Sequence, residues 1–205
     1  MSEQWLSFTV VALLTTLTPG PAVLFTLQNA LSAGSRPALA GALGNAVGLS
    51  LVSVLAFAGV SLLLTQSMLA FSVLKILGAA YLMYLAWGQW RQSGGSLPQN
   101  VATVTGRGWF HRGVGVALTN PKAWLFISAL FPQFISLQQP AAPQFAGLTL
   151  IFVGCSVLAH TFWLSLVRFG MGTNPKPVVR RLLGRVQALL LALIGISLWW
   201  TPLPA

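Results

Sequence analysis

The sequence predicts an all-α integral membrane protein: six transmembrane helices forming two inverted-topology three-helix repeats, with helices 1 and 4 broken. Three observations predict it. The chain is 56% hydrophobic and 6% charged, with a mean hydropathy of +0.80, whereas a soluble domain carries about 25% charged residues. Its apolar residues fall into runs of membrane-spanning length separated by short polar stretches. Finally, the segment from Leu17 to Phe25 returns from Leu118 to Phe126, with leucine, threonine, alanine, leucine and phenylalanine at matching places and proline inside both copies. Proline within a span removes a backbone donor and breaks the helical ladder. Transporters built from two related halves often place such breaks, and the binding site with them, at corresponding points.

Taken in order, the expected spans are Trp5–Leu27, Ala38–Leu64, Met68–Trp90, Gly113–Phe134, Phe145–Val167 and Leu182–Trp200. The first contains Pro19 and Pro21 a little beyond its middle, with Gly20 between them. The second carries Gly41, Gly44, Asn45 and Gly48 at spacings of three and four, which lets another helix approach closely. The third contains Lys75, expected to snorkel outward. After it, Ser93 to Pro98 form a flexible link. The fourth span holds Asn120, Pro121 and Lys122, and the fifth holds Cys155 and His160. The chain is thus one transmembrane domain, 1–205, made of an N-terminal repeat (1–92), a cytoplasmic linker (93–112) and a C-terminal repeat (113–205).

Loop charges set the orientation, because cytoplasmic loops retain Lys and Arg. Arg36 lies in the first link (Gln28 to Pro37); Arg91, Arg107 and Arg112 lie in the third; Arg168, Lys176, Arg180 and Arg181 lie in the fifth. The second and fourth links carry none. Links one, three and five are therefore expected in the cytoplasm and both termini outside. Three spans per half then oblige the second half to run opposite to the first.

Eleven Lys and Arg against the single acid Glu3 give a net charge of +10. These bases sit between apolar spans and form no patch with interleaved aromatics, so topology accounts for them and nucleic acid is not expected as a partner. One acid, two histidines and one cysteine cannot assemble a metal site or a catalytic carboxylate pair, and no phosphate-binding glycine loop appears. No cofactor, metal or enzymatic activity is expected.

The candidate site is the pair of breaks: Thr18, Pro19, Gly20, Pro21, Asn120, Pro121 and Lys122, with Asn45 beside them. Pro21 should free backbone carbonyls near Leu17 and Thr18 for a ligand ammonium or water. A lysine this far into a span costs about 2.5 to 3.5 kcal/mol on insertion scales. Two readings stand for Lys122: contact with the carboxylate of a bound substrate, or snorkelling to the cytoplasmic headgroups. A buried Asn45 amide needs partners and could orient substrate or water. His160 is either a neutral, hydrogen-bonded histidine or a proton carrier.

Thr18-Pro19-Gly20-Pro21 and Thr119-Asn120-Pro121-Lys122, supported by Leu74 to Leu82 and Phe131-Pro132-Gln133-Phe134, resemble the recurring motifs of the LysE/RhtB family of bacterial amino-acid exporters. The resemblance covers essentially the whole chain and is nearest the homoserine, homoserine-lactone and threonine branch. It implies a multi-pass protein of the bacterial inner membrane that expels amino acids or close derivatives, driven by the proton-motive force and dimeric. The family pattern places an acid in the second or fifth span, where this chain has Asn45, Ser156 and His160. That leaves His160, a substrate-borne proton or facilitated efflux in place of a carboxylate carrier. Two other readings keep the membrane fold: an exporter of a toxic metabolite or hydrophobic cation, and a non-transporting scaffold whose breaks only shape a docking surface.

Overall fold

The computed structural model describes residues 2–64, 108–136 and 138–168, together with scattered positions between 73 and 91 and between 181 and 196. Among the described residues the regular structure is helical, with no strand. Lys75, most of the expected third and sixth spans, and the segments 92–107 and 169–180 lie outside them; the positions described between 73 and 91 and between 181 and 196 are helical. The continuous elements are α1 (Ser2–Leu17), α2 (Pro21–Ala33), α3 (Ser35–Leu64), α4 (Trp109–Thr119), α5 (Pro121–Leu130), a 3-10 turn (Phe131–Phe134) and α6 (Ala141–Arg168).

Both expected breaks are present. Glu3–Leu17 meets Pro21–Ala33 at a bend of 50°, and Trp109–Thr119 meets Pro121–Phe134 at 54°. Each proline that opens a helix, Pro21 and Pro121, sits in its first turn, where a missing N–H costs nothing and a fixed φ suits the helix. The unbroken α3 and α6 are each long and apolar enough to cross a bilayer.

The expected first link differs. Gln28 to Ala33 continue α2, Ser35 starts α3, and Gly34 alone separates them. Polar residues by themselves do not end a helix; a left-handed residue does. Gly34 has φ +93°, and a Cβ built there would touch nothing within 4 Å. Gly34→Ala is therefore expected to lower stability through backbone conformation alone, by about 1–3 kcal/mol, read as a lower thermal midpoint in detergent. The helix expected from Gly113 likewise starts earlier, because α4 begins at Trp109 and takes up His111 and Arg112.

Most of the small side chains named on α3 lie on its buried face. Leu39, Leu43, Val47, Leu51, Val54 and Leu55 are exposed along one face, while Ala38, Ala42, Asn45, Ala46, Leu49, Val52, Ser53 and Ala56 are buried on the other. A helix apolar all round with small residues inward is the membrane pattern, in which close approach replaces hydrophobic driving force. The glycines bring this about. A Cβ on Gly44 would run into the carbonyl oxygen of Phe110, one on Gly113 into that of Gly41, and one on Gly48 would lie 2.6 Å from Ala117 Cβ. Backbone of α3 thus lies directly on backbone of α4.

On the other flank α1 packs on α6, where the Trp5 ring covers Gly147. Between α1, α5 and α6 lies an aromatic core: Phe126 stacks on Phe152 at 4.6 Å and 12°, and Phe8 meets Phe131 edge-on at 5.2 Å. Such pairs prefer these geometries and fix ring orientation. Because Phe126 belongs to α5 and Phe152 to α6, this core sets how the second break sits against its neighbours.

Candidate functional site

The first break leaves carbonyls at the end of α1 without their usual donors. Pro19 would stand opposite the Thr15 carbonyl and Pro21 opposite that of Leu17, and neither has an N–H to give. The fold supplies substitutes from distant parts of the chain. Lys122 Nζ donates to Thr15 O at 2.7 Å and to Thr18 O at 3.1 Å. Trp163 Nε1, from α6, donates to Leu17 O at 3.1 Å. The second break is closed in a related way: Trp124 Nε1 donates to Leu118 O at 2.7 Å. Leu17 and Leu118 are corresponding residues of the repeated segment, so an indole N–H satisfies the equivalent carbonyl in both copies.

In this structure the carbonyls of Leu17 and Thr18 accept from Trp163 and Lys122 respectively. The Lys122 ammonium turns into the break of the first helix and does not run outward along its own. Electrostatics favours that placement. Lys122 lies in the first turn of α5, where the helix dipole repels a cation, and its ammonium reaches the carbonyl end of α1, where the dipole attracts one. Asn120 caps α5: its Oδ1 accepts from Lys122 N at 3.0 Å.

Beside the breaks lies a cavity with about 430 Å³ of empty space, its open mouth included. Thr18, Gly20, Asn45, Asn120, Lys122 and His160 line it together with Thr15, Ser156 and Phe152. Pro19, Pro21 and Pro121 do not line it; they contribute by breaking the backbone. The structure therefore brings together every polar residue proposed from the sequence.

One wall is a hydrogen-bonded chain across three helices. Thr26 Oγ1 on α2 lies 2.8 Å from His160 Nδ1 on α6; His160 Nε2 lies 3.3 Å from Asn45 Nδ2 on α3; and that nitrogen lies 3.4 Å from Ser156 Oγ. All four residues are buried. Two buried atoms of the lining, Thr15 Oγ1 and Asn45 Oδ1, have no hydrogen-bond partner. Among the described residues, no cluster of His, Cys, Asp or Glu could hold a metal ion.

The family model described as LysE type translocator matches residues 13–201, a stretch that includes both breaks and the whole cavity lining. The chain belongs to this family. It is a translocator of the membrane and not an enzyme. The homoserine/homoserine lactone efflux protein of Salmonella typhimurium is 39% identical to it over 159 residues, covering 76% of this chain and 77% of its own. The protein of the same description from Salmonella typhi is 33% identical over 197 residues, covering 96% of each. A Vibrio cholerae protein described as an uncharacterized membrane protein is 34% identical over 160 residues, covering 75% of this chain and 77% of its own. No solved structure matches the translocator.

Sequence reading missed four residues of this site. Thr15 and Thr26 looked like ordinary span threonines, and Ser156 entered only as a departure from the family pattern. Trp163 was not singled out, because a tryptophan this close to the expected span end at Val167 reads as an ordinary interface residue. Asn29, assigned to a polar link, is fully buried in α2.

Proposed function

We propose that this translocator exports amino acids or close derivatives of the homoserine and homoserine lactone type across the bacterial inner membrane, driven by the proton-motive force. One observation carries the reading. The two breaks, at corresponding points of a repeated segment, meet at a single cavity, and the lysine of the second holds the carbonyl end of the first. The relatives' descriptions supply the cargo class.

In this reading the chain is one domain of two inverted three-helix repeats, 1–92 and 113–205, joined by a cytoplasmic linker, with basic loops inside, both termini outside, and two copies forming a dimer. The packing supports it: α1 of the first half lies on α6 of the second, and α4 of the second on α3 of the first. Cargo sits between the breaks. Its carboxylate approaches Lys122 and Asn120, and its ammonium takes the orphaned Asn45 Oδ1 and Thr15 Oγ1, with the Thr18 carbonyl nearby once Lys122 turns to the carboxylate. Thr18, Pro19, Gly20, Pro21 and Pro121 keep the two helices open there. His160 carries the coupling proton.

The test is efflux of labelled homoserine, homoserine lactone and threonine from proteoliposomes carrying the purified protein, with an imposed proton gradient. Gradient-stimulated efflux of at least one of them is expected. Failure of all three, together with no gain of resistance when cells producing the protein are challenged with inhibitory amino acids, would reject the cargo assignment.

A further inference from the structure

We propose that His160 couples proton uptake to cargo release by reversing the Asn45 amide, with Thr26 and Ser156 as its positioning residues. The inference rests on the exporter reading above and adds to it how proton and cargo exclude each other without a carboxylate in the membrane.

In the observed arrangement Asn45, a lining residue of the cavity, turns Nδ2 toward the ring and leaves its buried Oδ1 without a hydrogen-bond partner. A donating Nδ2 requires His160 Nε2 to be an unprotonated acceptor. The ring is then neutral, with its proton on Nδ1 and given to Thr26 Oγ1, 2.8 Å away. An orphaned oxygen suits a donor, and an ammonium is the donor that homoserine and its lactone share.

A second proton can bind only at Nε2. The ring then carries two N–H donors and no acceptor, so a donating Nδ2 opposite it is no longer tolerated. Asn45 must turn its amide over, giving Oδ1 to the ring and Nδ2 to the cavity. Thr26 Oγ1 accepts from Nδ1 in both states. Ser156 is equally indifferent, because a hydroxyl accepts from Nδ2 or donates to Oδ1. The cavity now offers a cargo ammonium an amide donor and a cationic ring in place of an acceptor. One proton bound at Nε2 thus expels one ammonium-bearing cargo, and by linkage bound cargo opposes that proton to the same degree.

The charges around the ring agree with this assignment. Lys122 from α5 is the other ionisable side chain that lines the cavity, with Asn45 from α3 and Ser156 from α6, while Thr26 from α2 meets the ring at Nδ1. Cys155, next to Ser156, is engaged elsewhere, toward Thr9 O. The chain's sole acid, Glu3, is exposed near the start of α1. Among the described residues no carboxylate competes with the ring for the proton.

The experiment titrates homoserine binding to the purified protein by calorimetry from about pH 3 to pH 7, with the ligand's own carboxyl titration at the acid end measured separately. In parallel, the imidazole nitrogens of histidine-labelled protein are followed by NMR, with exposed His111 as internal control. Homoserine Kd is expected to rise by up to about tenfold per pH unit on the acid side of the His160 midpoint. Saturating homoserine should move that midpoint, and not that of His111, toward acid. His160→Gln should abolish the loss of affinity toward acid, whatever its absolute value. If that variant does not fold, Thr26→Val removes the acceptor of Nδ1–H and should shift the affinity curve by about one pH unit toward acid. Binding that is strong and flat with pH in the parent overturns this coupling and leaves the exporter reading intact. Absence of binding at every pH rejects the exporter reading, and the coupling with it.

Discussion

Lys122→Ala is expected to reduce homoserine efflux from proteoliposomes at least about 100-fold, a loss of roughly 2.7 kcal/mol of stabilisation along the transport path. Two effects combine. The carbonyls of Thr15 and Thr18 lose the ammonium that bonds them at 2.7 and 3.1 Å, and each unpaired buried carbonyl costs about 1–3 kcal/mol. The cargo carboxylate also loses its cation. Removing a buried charge returns part of its desolvation cost, so thermal stability should fall less than transport does. The two effects separate by cargo: the lactone has no free carboxylate, so its efflux should suffer less than that of homoserine. Equal efflux from monodisperse Lys122→Ala and parent protein would show that cargo does not pass this residue.

Gly113→Leu should prevent assembly altogether. A Cβ at this position overlaps the Gly41 carbonyl oxygen and comes within 2.9 Å of Asn45 N, so α3 and α4 must separate along the seam that also positions Asn45. Ordinary overpacking costs about 1–3 kcal/mol. Here the obstacle is backbone, so that figure is a floor, and a fall in thermal midpoint of more than about 6 °C, or no monodisperse protein, is expected. Gly115→Leu on the same helix is the matched control. A Cβ there touches nothing within 4 Å, and the variant should purify like the parent. If Gly113→Leu also does, the close approach of α3 and α4 is not needed for folding.

The breaks were legible in the sequence because proline leaves a local mark that no tertiary context erases: it has no N–H wherever it sits. The polar residues of the cavity were legible for a similar reason. Asn45, Asn120, Lys122 and His160 interrupt apolar runs, where an unexplained polar group must face protein or water. Thr15, Thr26 and Trp163 were not, since threonine and tryptophan suit a span without any special role. The first link was misread because Gln28, Asn29, Ser32 and Arg36 resemble loop residues, yet all are compatible with helix, and only the positive φ of Gly34 stops it.

The sequence by itself determined the membrane class, the helical content and the two points where backbone carbonyls lose their donors, because hydropathy and proline chemistry are properties of the chain. Only the tertiary structure decided where the replacement donors come from. Lys122 and Trp163 each lie more than a hundred residues from the carbonyls they satisfy, and hydrogen bonding requires a meeting in space that spacing along a chain does not encode. The same holds for the pairing of His160 with Asn45 and Thr26. Three helices, α2, α3 and α6, must pack before one ring can touch both.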